Sequence, residues 1–344
     1  MSIKAARWLV LHLSFVILTF GGKLGLSLGQ SLPCLSCPFV SGCGGICYLR
    51  LLQSPIGGLG MSWSAIFTAR GLAALGSLLI FTILVALFGQ SWCGWVCPFG
   101  LVQDYAARLR NKLRIRQAQF SKRSLKIIRA VKYLLFAYLL AGPILVAIGL
   151  GHPDLTMPFC NICPVKLIMP LLTGNTAYLS LDFTNPVLLT QSILLTVFSG
   201  LVLVGMFFRH RFFCLLCPMS VLIGLFKPIS LTNLVKSTTA CRNCGNCRRV
   251  CPAGIDKTCD TFLPNNLLIG ESPSIPSSNF PASPKTSVCI RSIGCQGCFD
   301  CVQCCSTDGA LSIKIGPWKL FSSSRAYAAA FGLSKRPWPY LLAK

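Results

Sequence analysis

Four long apolar runs constrain this chain more than any other feature. They are "WLVLHLSFVILTF" (8–20), "GLAALGSLLIFTILVALFG" (71–89), "VKYLLFAYLLAGPILVAIGL" (131–150) and "VLLTQSILLTVFSGLVLVGMFF" (187–208). Each approaches the roughly 20 residues that cross a bilayer as a helix. The composition agrees: 12% of residues are charged, against about 25% in a soluble domain, so the chain lacks the polar surface to cover itself. Gly21, Gly22 and Lys23 interrupt the first run. Lys4 and Arg7 ahead of it give it the look of a signal peptide. No small-x-small cleavage site follows, and a retained helix is expected.

Basic residues set the orientation, because they stay on the cytoplasmic side. Arg108, Arg110, Lys112, Arg114, Arg116, Lys122, Arg123, Lys126 and Arg129 crowd the segment between the second and third runs. Segments 30–69 and 151–186 hold only Arg50 and Lys166, with Arg70 at a boundary. The expectation is a multi-pass protein of a bacterial or archaeal cytoplasmic membrane, with both termini inside. The formal charge of +24 is then topology. No base-reading module accompanies it, and no nucleic-acid partner is expected.

The 21 cysteines are not scattered. Each apolar run is followed by a close pair and a proline: "CLSCP" (34–38), "CGWVCP" (93–98), "CNICP" (160–164) and "CLLCP" (214–218). The separation from 34 to 93 nearly matches that from 160 to 214, so the first 228 residues read as two copies of span–pair–span–pair. Proline after the second cysteine cannot donate to a helix ladder and turns the chain. Topology puts Cys93, Cys97, Cys214 and Cys217 on the inner face, and Cys34, Cys37, Cys160 and Cys163 on the outer face. Four thiolates are the ligand set of an iron–sulfur cluster. The inner set stays reduced and points to a cluster. On the oxidising outer side a cluster and disulfides both remain open, and Cys43 and Cys47 add further thiols.

Beyond residue 228 the apolar runs stop. "CRNCGNCRRVCP" (241–252) is a C-x2-C-x2-C-x3-C-P run, and "CQGCFDCVQCC" (295–305) is a second run. In the bacterial two-cluster pattern the fourth cysteine of each run serves the other cluster. Cys241, Cys244, Cys247 and Cys305 then hold one [4Fe–4S] cluster, and Cys295, Cys298, Cys301 and Cys251 the other. Zinc sites more often show two separated pairs. The second run has Ser306 where proline is usual, and Cys304 beside Cys305. Cys305 is chosen for its spacing from Cys301, and Cys259 and Cys289 are left over. "ESPSIPSSNFPASPKTS" (271–287) reads as an exposed insertion.

The expected fold is therefore an α-helical membrane protein. Four transmembrane helices in two span–cysteine-pair repeats occupy 1–228. A C-terminal α+β bacterial-type two-cluster ferredoxin domain follows over 229–316, with a Ser/Pro-rich insertion at 260–288. A basic, aromatic tail (317–344) lies on the membrane or is disordered.

"CGWVCPFG", "RFFCLLCP" and the twin-run tail together resemble the NapH and NosR type of membrane-bound [4Fe–4S] ferredoxin over roughly residues 70–313. Both membrane elements of that family are usually C-x3-C-P, whereas the second here is C-x2-C-P. The outer pairs lie outside the family pattern. The resemblance implies cytoplasmic clusters and electron exchange with the membrane quinone pool or a partner reductase, within a multi-subunit complex.

Function then reads as electron conduction. A hydrocarbon slab of about 30 Å is too thick for one tunnelling step, so one or two further clusters in the membrane part would help. Two other readings stay open: a thiol–disulfide conductor across the membrane, and a redox-sensing or maturation protein. The eight-cysteine tail speaks against the first. Three histidines (His12, His152 and His210) without C-x-x-C-H make a haem pair a poor rival. No nucleophile–base pair, phosphate loop or flavin fingerprint occurs, so a subunit of an oxidoreductase fits better than a stand-alone enzyme.

Overall fold

A computed structural model of the chain describes residues 3–330 apart from 38, 59–68, 116, 119, 178–182, 184, 227–228, 238, 243, 254–286 and 291–294. Cys259 and nearly all of the Ser/Pro-rich insertion lie outside the described residues. Helix α1 (Ile3–Phe20) is followed by a folded loop. Helices α2 (Tyr48–Gly58), α3 (Ala69–Phe88), α4 (Pro98–Lys112) and α5 (Lys122–Ala147) come next. Two short helices, α6 (Pro158–Ile162) and α7 (Pro164–Leu172), precede α8 (Pro186–Phe208). A second short pair, α9 (Phe212–Leu216) and α10 (Met219–Leu225), closes the helical part. By length and composition four segments can cross a membrane: Ile3–Leu24, Gly71–Phe88, Arg123–Ala147 and Pro186–Phe208.

Proline starts many of these helices. At the first turn it forfeits only an N–H that has no intrahelical partner anyway, as at Pro98, Pro158, Pro164 and Pro186. The residue before proline is pushed to extended backbone. Cys97 and Cys163 accordingly sit at φ −61°, ψ 117° and φ −71°, ψ 124°. Sequence thus fixes each of these cysteines at the mouth of a helix.

The long helices alternate in direction. The start of α1 meets the end of α3, since Arg7 reaches the Gly94 carbonyl. The start of α5 meets the end of α8 through the Ala118 N–H donated to the Phe208 carbonyl. Their shared core holds Phe81, Val85, Leu139, Leu195, Val202 and Phe213, while Leu79, Leu134 and Val197 are largely exposed. With Leu72, Leu78, Ile83, Leu201 and Val204 also exposed along the same helices, the apolar surface is extensive and suits lipid rather than water.

The C-terminal unit contains β1 (Thr232–Ser237), α11 (Asn246–Val250), β2 (Ser287–Ile290), α12 (Asp300–Gln303), β3 (Leu311–Ile315), β4 (Trp318–Ser322) and α13 (Arg325–Ala330). The strands form one sheet in the order β2-β1-β3-β4, every pair antiparallel. The boundary expected at 316 falls inside this sheet. Strand β4, expected as tail, turns back at Gly316 (φ +57°) and pairs with β3. The sheet is tied to the end of α3: Leu231 N–H donates to the Ala86 carbonyl at 2.7 Å, and Thr232 Oγ1 donates to the Leu87 carbonyl at 2.8 Å.

Candidate metal centres

The end of the bundle nearer the sheet gathers Cys93, Cys97, Cys214 and Cys217. Cys93 lies on a π-helical turn (Trp92–Val96) and Cys97 caps α4, while Cys214 and Cys217 flank the end of α9. Each of the four thiols is electrostatically coupled to the other three. Burial pushes all four up, Cys214 to about 11. Arg211 works against that rise at Cys93, Cys97 and Cys214. Backbone N–H groups of Leu35, Gly100 and Phe99 also face the Cys97 sulfur, and those of Met219 and Ser220 face Cys217. Gln103 Nε2 donates to Cys214 Sγ at 3.5 Å and to the Phe99 carbonyl. Its Oε1 accepts the Phe213 N–H at 3.0 Å. This environment suits bound thiolates: cationic charge and N–H donors directed at sulfur, inside apolar walls.

A buried ionic hub supports the cysteine turn. Arg211 donates to Asp104 through Nε (3.1 Å) and Nη2 (3.2 Å), and to the carbonyls of Cys93 and Gly94. Arg7 bonds Asp104, the Gly94 carbonyl and Asp300 Oδ1, and His210 Nε2 sits 2.8 Å from Asp104 Oδ1. Burial alone would push the Asp104 carboxyl up. Arg211, Arg7 and the His210 hydrogen bond outweigh it and hold the group well below the usual range. In the sequence Arg7 reads as a charge ahead of an apolar run, in the manner of a signal peptide, and Arg211 as part of the basic boundary after the fourth run. Pairing with an acid more than ninety positions away leaves no local signature.

In the C-terminal unit, Cys241, Cys244, Cys247 and Cys305 line one small cavity with Lys236 and Thr307. Cys301 is coupled to Cys298, Cys295, Cys304 and Cys251. Cys304 is in turn close to Cys247 and Cys244. Cys304 is buried, and its thiol donates to the Cys301 carbonyl at 3.3 Å. Cys289 pairs with Val235 in the sheet.

At the far end of the bundle, Cys37, Cys160 and Cys163 are mutually coupled, with Cys47 as a fourth member. Cys34 is coupled instead to Cys97 and Cys93 as well as to Cys47 and Cys43. Among the described residues no three His, Cys, Asp or Glu side chains converge closely enough for a single metal ion. The burial of the thiols nearer the sheet, with N–H donors and Arg211 directed at sulfur, is an environment that suits an iron–sulfur cluster. His12 is engaged elsewhere, at the Trp8 carbonyl and the Tyr105 hydroxyl.

Four membrane-length helices carrying grouped, buried thiols define a membrane iron–sulfur protein of the ferredoxin type. The family described as "4Fe-4S binding domain" matches residues 70–116 and 191–230, segments that contain Cys93, Cys97, Cys214 and Cys217. The chain is 25% identical over 243 residues to the "Putative electron transport protein YccM" of Escherichia coli K12, covering 71% of this chain and 56% of that protein. It is 31% identical over 198 residues to the "Ferredoxin-type protein NapH" of Haemophilus influenzae, covering 54% and 59%. It is 28% identical over 190 residues to the "Methylamine utilization ferredoxin-type protein MauN" of Methylorubrum extorquens, covering 53% and 54%. The chain thus spans little more than half the length of these relatives. No solved structure matches. Over roughly half of its length the chain is similar to the ferredoxin-type proteins NapH and MauN, as its cysteine motifs indicate.

Proposed function

We propose that this protein passes single electrons between the membrane quinone pool, or a membrane or periplasmic partner, and a redox partner on the cytoplasmic side. Cys93, Cys97, Cys214 and Cys217 hold one iron–sulfur cluster. The crossed sets Cys241, Cys244, Cys247, Cys305 and Cys295, Cys298, Cys301, Cys251 hold two [4Fe–4S] clusters. Such a cluster takes up and releases one electron with little rearrangement.

The observation that carries this reading is the docking of the two cysteine turns. Gly94, between Cys93 and Cys97, packs on the Gly297 carbonyl between Cys295 and Cys298. Trp95 Nε1 also donates to that carbonyl at 3.1 Å. Arg209, donating to the carbonyls of Ala118 and Pro252, ties the first run to the bundle. Two thiolate sites in backbone contact suit transfer between them. Beside them lies a cavity of about 260 Å³ whose walls include Val10, Trp92, Trp95 and Phe321. Its apolar, aromatic lining suits the ring and tail of a quinol, whose two electrons and two protons leave separately.

The test is iron and sulfide quantitation on protein purified without oxygen, with low-temperature EPR. More than two clusters per chain, one of them lost in Cys93→Ser, supports the reading. A colourless protein whose thiols instead shuttle between dithiol and disulfide would point to the thiol–disulfide conductor.

A further inference from the structure

Two stretches of this chain repeat each other more closely than order along the sequence suggests. "CGGICYLRLLQ" (43–53) and "CGWVCPFGLVQ" (93–103) share the pattern C-G-x2-C-x5-Q. "FCNICP" (159–164) and "FCLLCP" (213–218) share F-C-x2-C-P. The structure uses both pairs in the same way. Gln53, fully buried, donates through Nε2 to Cys160 Sγ at 3.2 Å and to the Leu49 carbonyl at 2.8 Å. Its Oε1 accepts the Phe159 N–H at 3.0 Å. Gln103 does the same with Cys214, Phe99 and Phe213.

Other details repeat. A Cβ on Gly44 would overlap the Ile17 carbonyl as one on Gly94 would overlap that of Gly297. Cys47 heads α2 with the N–H groups of Leu49 and Arg50 facing its sulfur, as Phe99 and Gly100 face Cys97. Arg50 and Lys166 provide the cations near Cys160, the part Arg211 plays near Cys214. One arrangement is built at both ends of the bundle.

We propose that Cys37, Cys47, Cys160 and Cys163 form a second membrane iron–sulfur site, with Cys47 and not Cys34 completing the set. This rests on the chain being an iron–sulfur carrier and adds a centre to it. Cys37 is brought to the site because segment 32–36 lies along 46–48: Cys47 N–H donates to the Ser36 carbonyl at 3.2 Å and Tyr48 N–H to the Leu32 carbonyl at 3.0 Å. Cys43 occupies the repeat position of Cys93, but its thiol is turned to the Gly45 carbonyl (2.7 Å) and the Leu18 carbonyl (3.4 Å). Cys34 lies between the two sites, and the N–H of Leu35 faces Cys97 rather than the far group.

The experiment compares iron and acid-labile sulfide in the full chain, purified without oxygen, with Cys37→Ser, Cys47→Ser, Cys34→Ser and Cys43→Ser. Cys37→Ser and Cys47→Ser should each lose about four iron atoms per chain, one cubane, while Cys34→Ser and Cys43→Ser keep the wild-type content. Retention of the EPR signals of the other clusters shows that the variants fold. As a measurement without variants, Cys47 and Cys160 of the wild type should resist alkylation until iron is chelated. The assignment is overturned if Cys47→Ser keeps all its iron, if Cys34→Ser loses a cluster, or if the site carries zinc. A wild-type protein with no iron at all defeats instead the electron-carrier reading on which this one stands.

Discussion

Gly94 and Gly297 meet backbone to backbone, with no room for a Cβ on either. On Gly94 it would run into the Gly297 carbonyl, and on Gly297 it would lie 2.5 Å from the Gln90 carbonyl. Gly297 also adopts φ +60°, a region costly for any residue with a side chain. The membrane part and the C-terminal unit therefore meet between two cysteine pairs, where separation matters most to an electron.

Gly297→Ala should force the two turns apart. The expected result is weaker magnetic interaction between the membrane and C-terminal clusters in EPR, with iron content preserved. Slower reduction of the C-terminal clusters should accompany it. If the spectrum and the rate match the wild type, the contact is not the junction proposed here.

Asp104 bridges two guanidiniums in a space nearly closed to water, with Asp300 as a second acid on Arg7. Replacing one partner of a buried ionic set leaves uncompensated charge, at a cost of about 3–5 kcal/mol. Asp104→Asn should lower the thermal midpoint in detergent by several degrees. It should also loosen the Cys93–Gly94 turn, which Arg7 and Arg211 hold by its carbonyls. An unchanged midpoint would mean that the hub contributes nothing to stability.

The same carboxyl gives a pH dependence of known sign. Its folded value is depressed, against about 3.9 when unfolded. Its contribution is thus complete above about pH 4–5 and fades as pH falls through the folded value. Wild type should lose stability faster than Asp104→Asn on acidification below about pH 4. Parallel curves from pH 6 to pH 3 would count against this assignment.

Much of this architecture was readable from the chain. The apolar runs gave four long helices, because lipid leaves the backbone no other partner. The Cys–Pro steps gave cysteines at helix mouths, because proline dictates the backbone on both its sides. Pairing Cys34–Cys37 with Cys93–Cys97 followed order after each span, whereas the closer sequence match is between segments 43–53 and 93–103. The signal that was available was the glutamine six positions past the second cysteine, at Gln53 and Gln103. A single glutamine in an apolar helix passes for a tolerated polar residue until its bond to sulfur is seen. Arg7 showed a different limit. It read as a signal-peptide-like charge ahead of the first run, yet it is buried against Asp104 and Asp300, contacts made only after the chain has folded back.

The glutamines suggest a test of tuning. A hydrogen bond to a ligand sulfur favours the more reduced, more negative cluster, and so raises its potential. Gln103→Leu removes the donor to Cys214 and should make the membrane cluster harder to reduce while leaving its iron in place. A redox titration followed by EPR reads the shift. A change in the opposite direction would show that Gln103 does not act on the cluster through Cys214.

The neighbouring Cys304 and Cys305 can be separated by their surroundings. Cys305 faces the cavity that Cys241, Cys244 and Cys247 share, and its thiol lies 3.7 Å from the Thr307 carbonyl. Cys304 is fully enclosed, and its thiol already donates to the Cys301 carbonyl. Burial pushes it up, and the nearby charges of Cys247, Cys305 and Asp300 push the same way. So placed, Cys304 serves as a small packing group, while Cys305 faces the cavity shared by the first run. Cys305→Ser should therefore lose the cluster of the first run, and Cys304→Ser should retain it with its EPR signal unchanged. The reverse pattern in iron content would move the fourth ligand one residue back and shorten the second run's spacing to C-x2-C throughout.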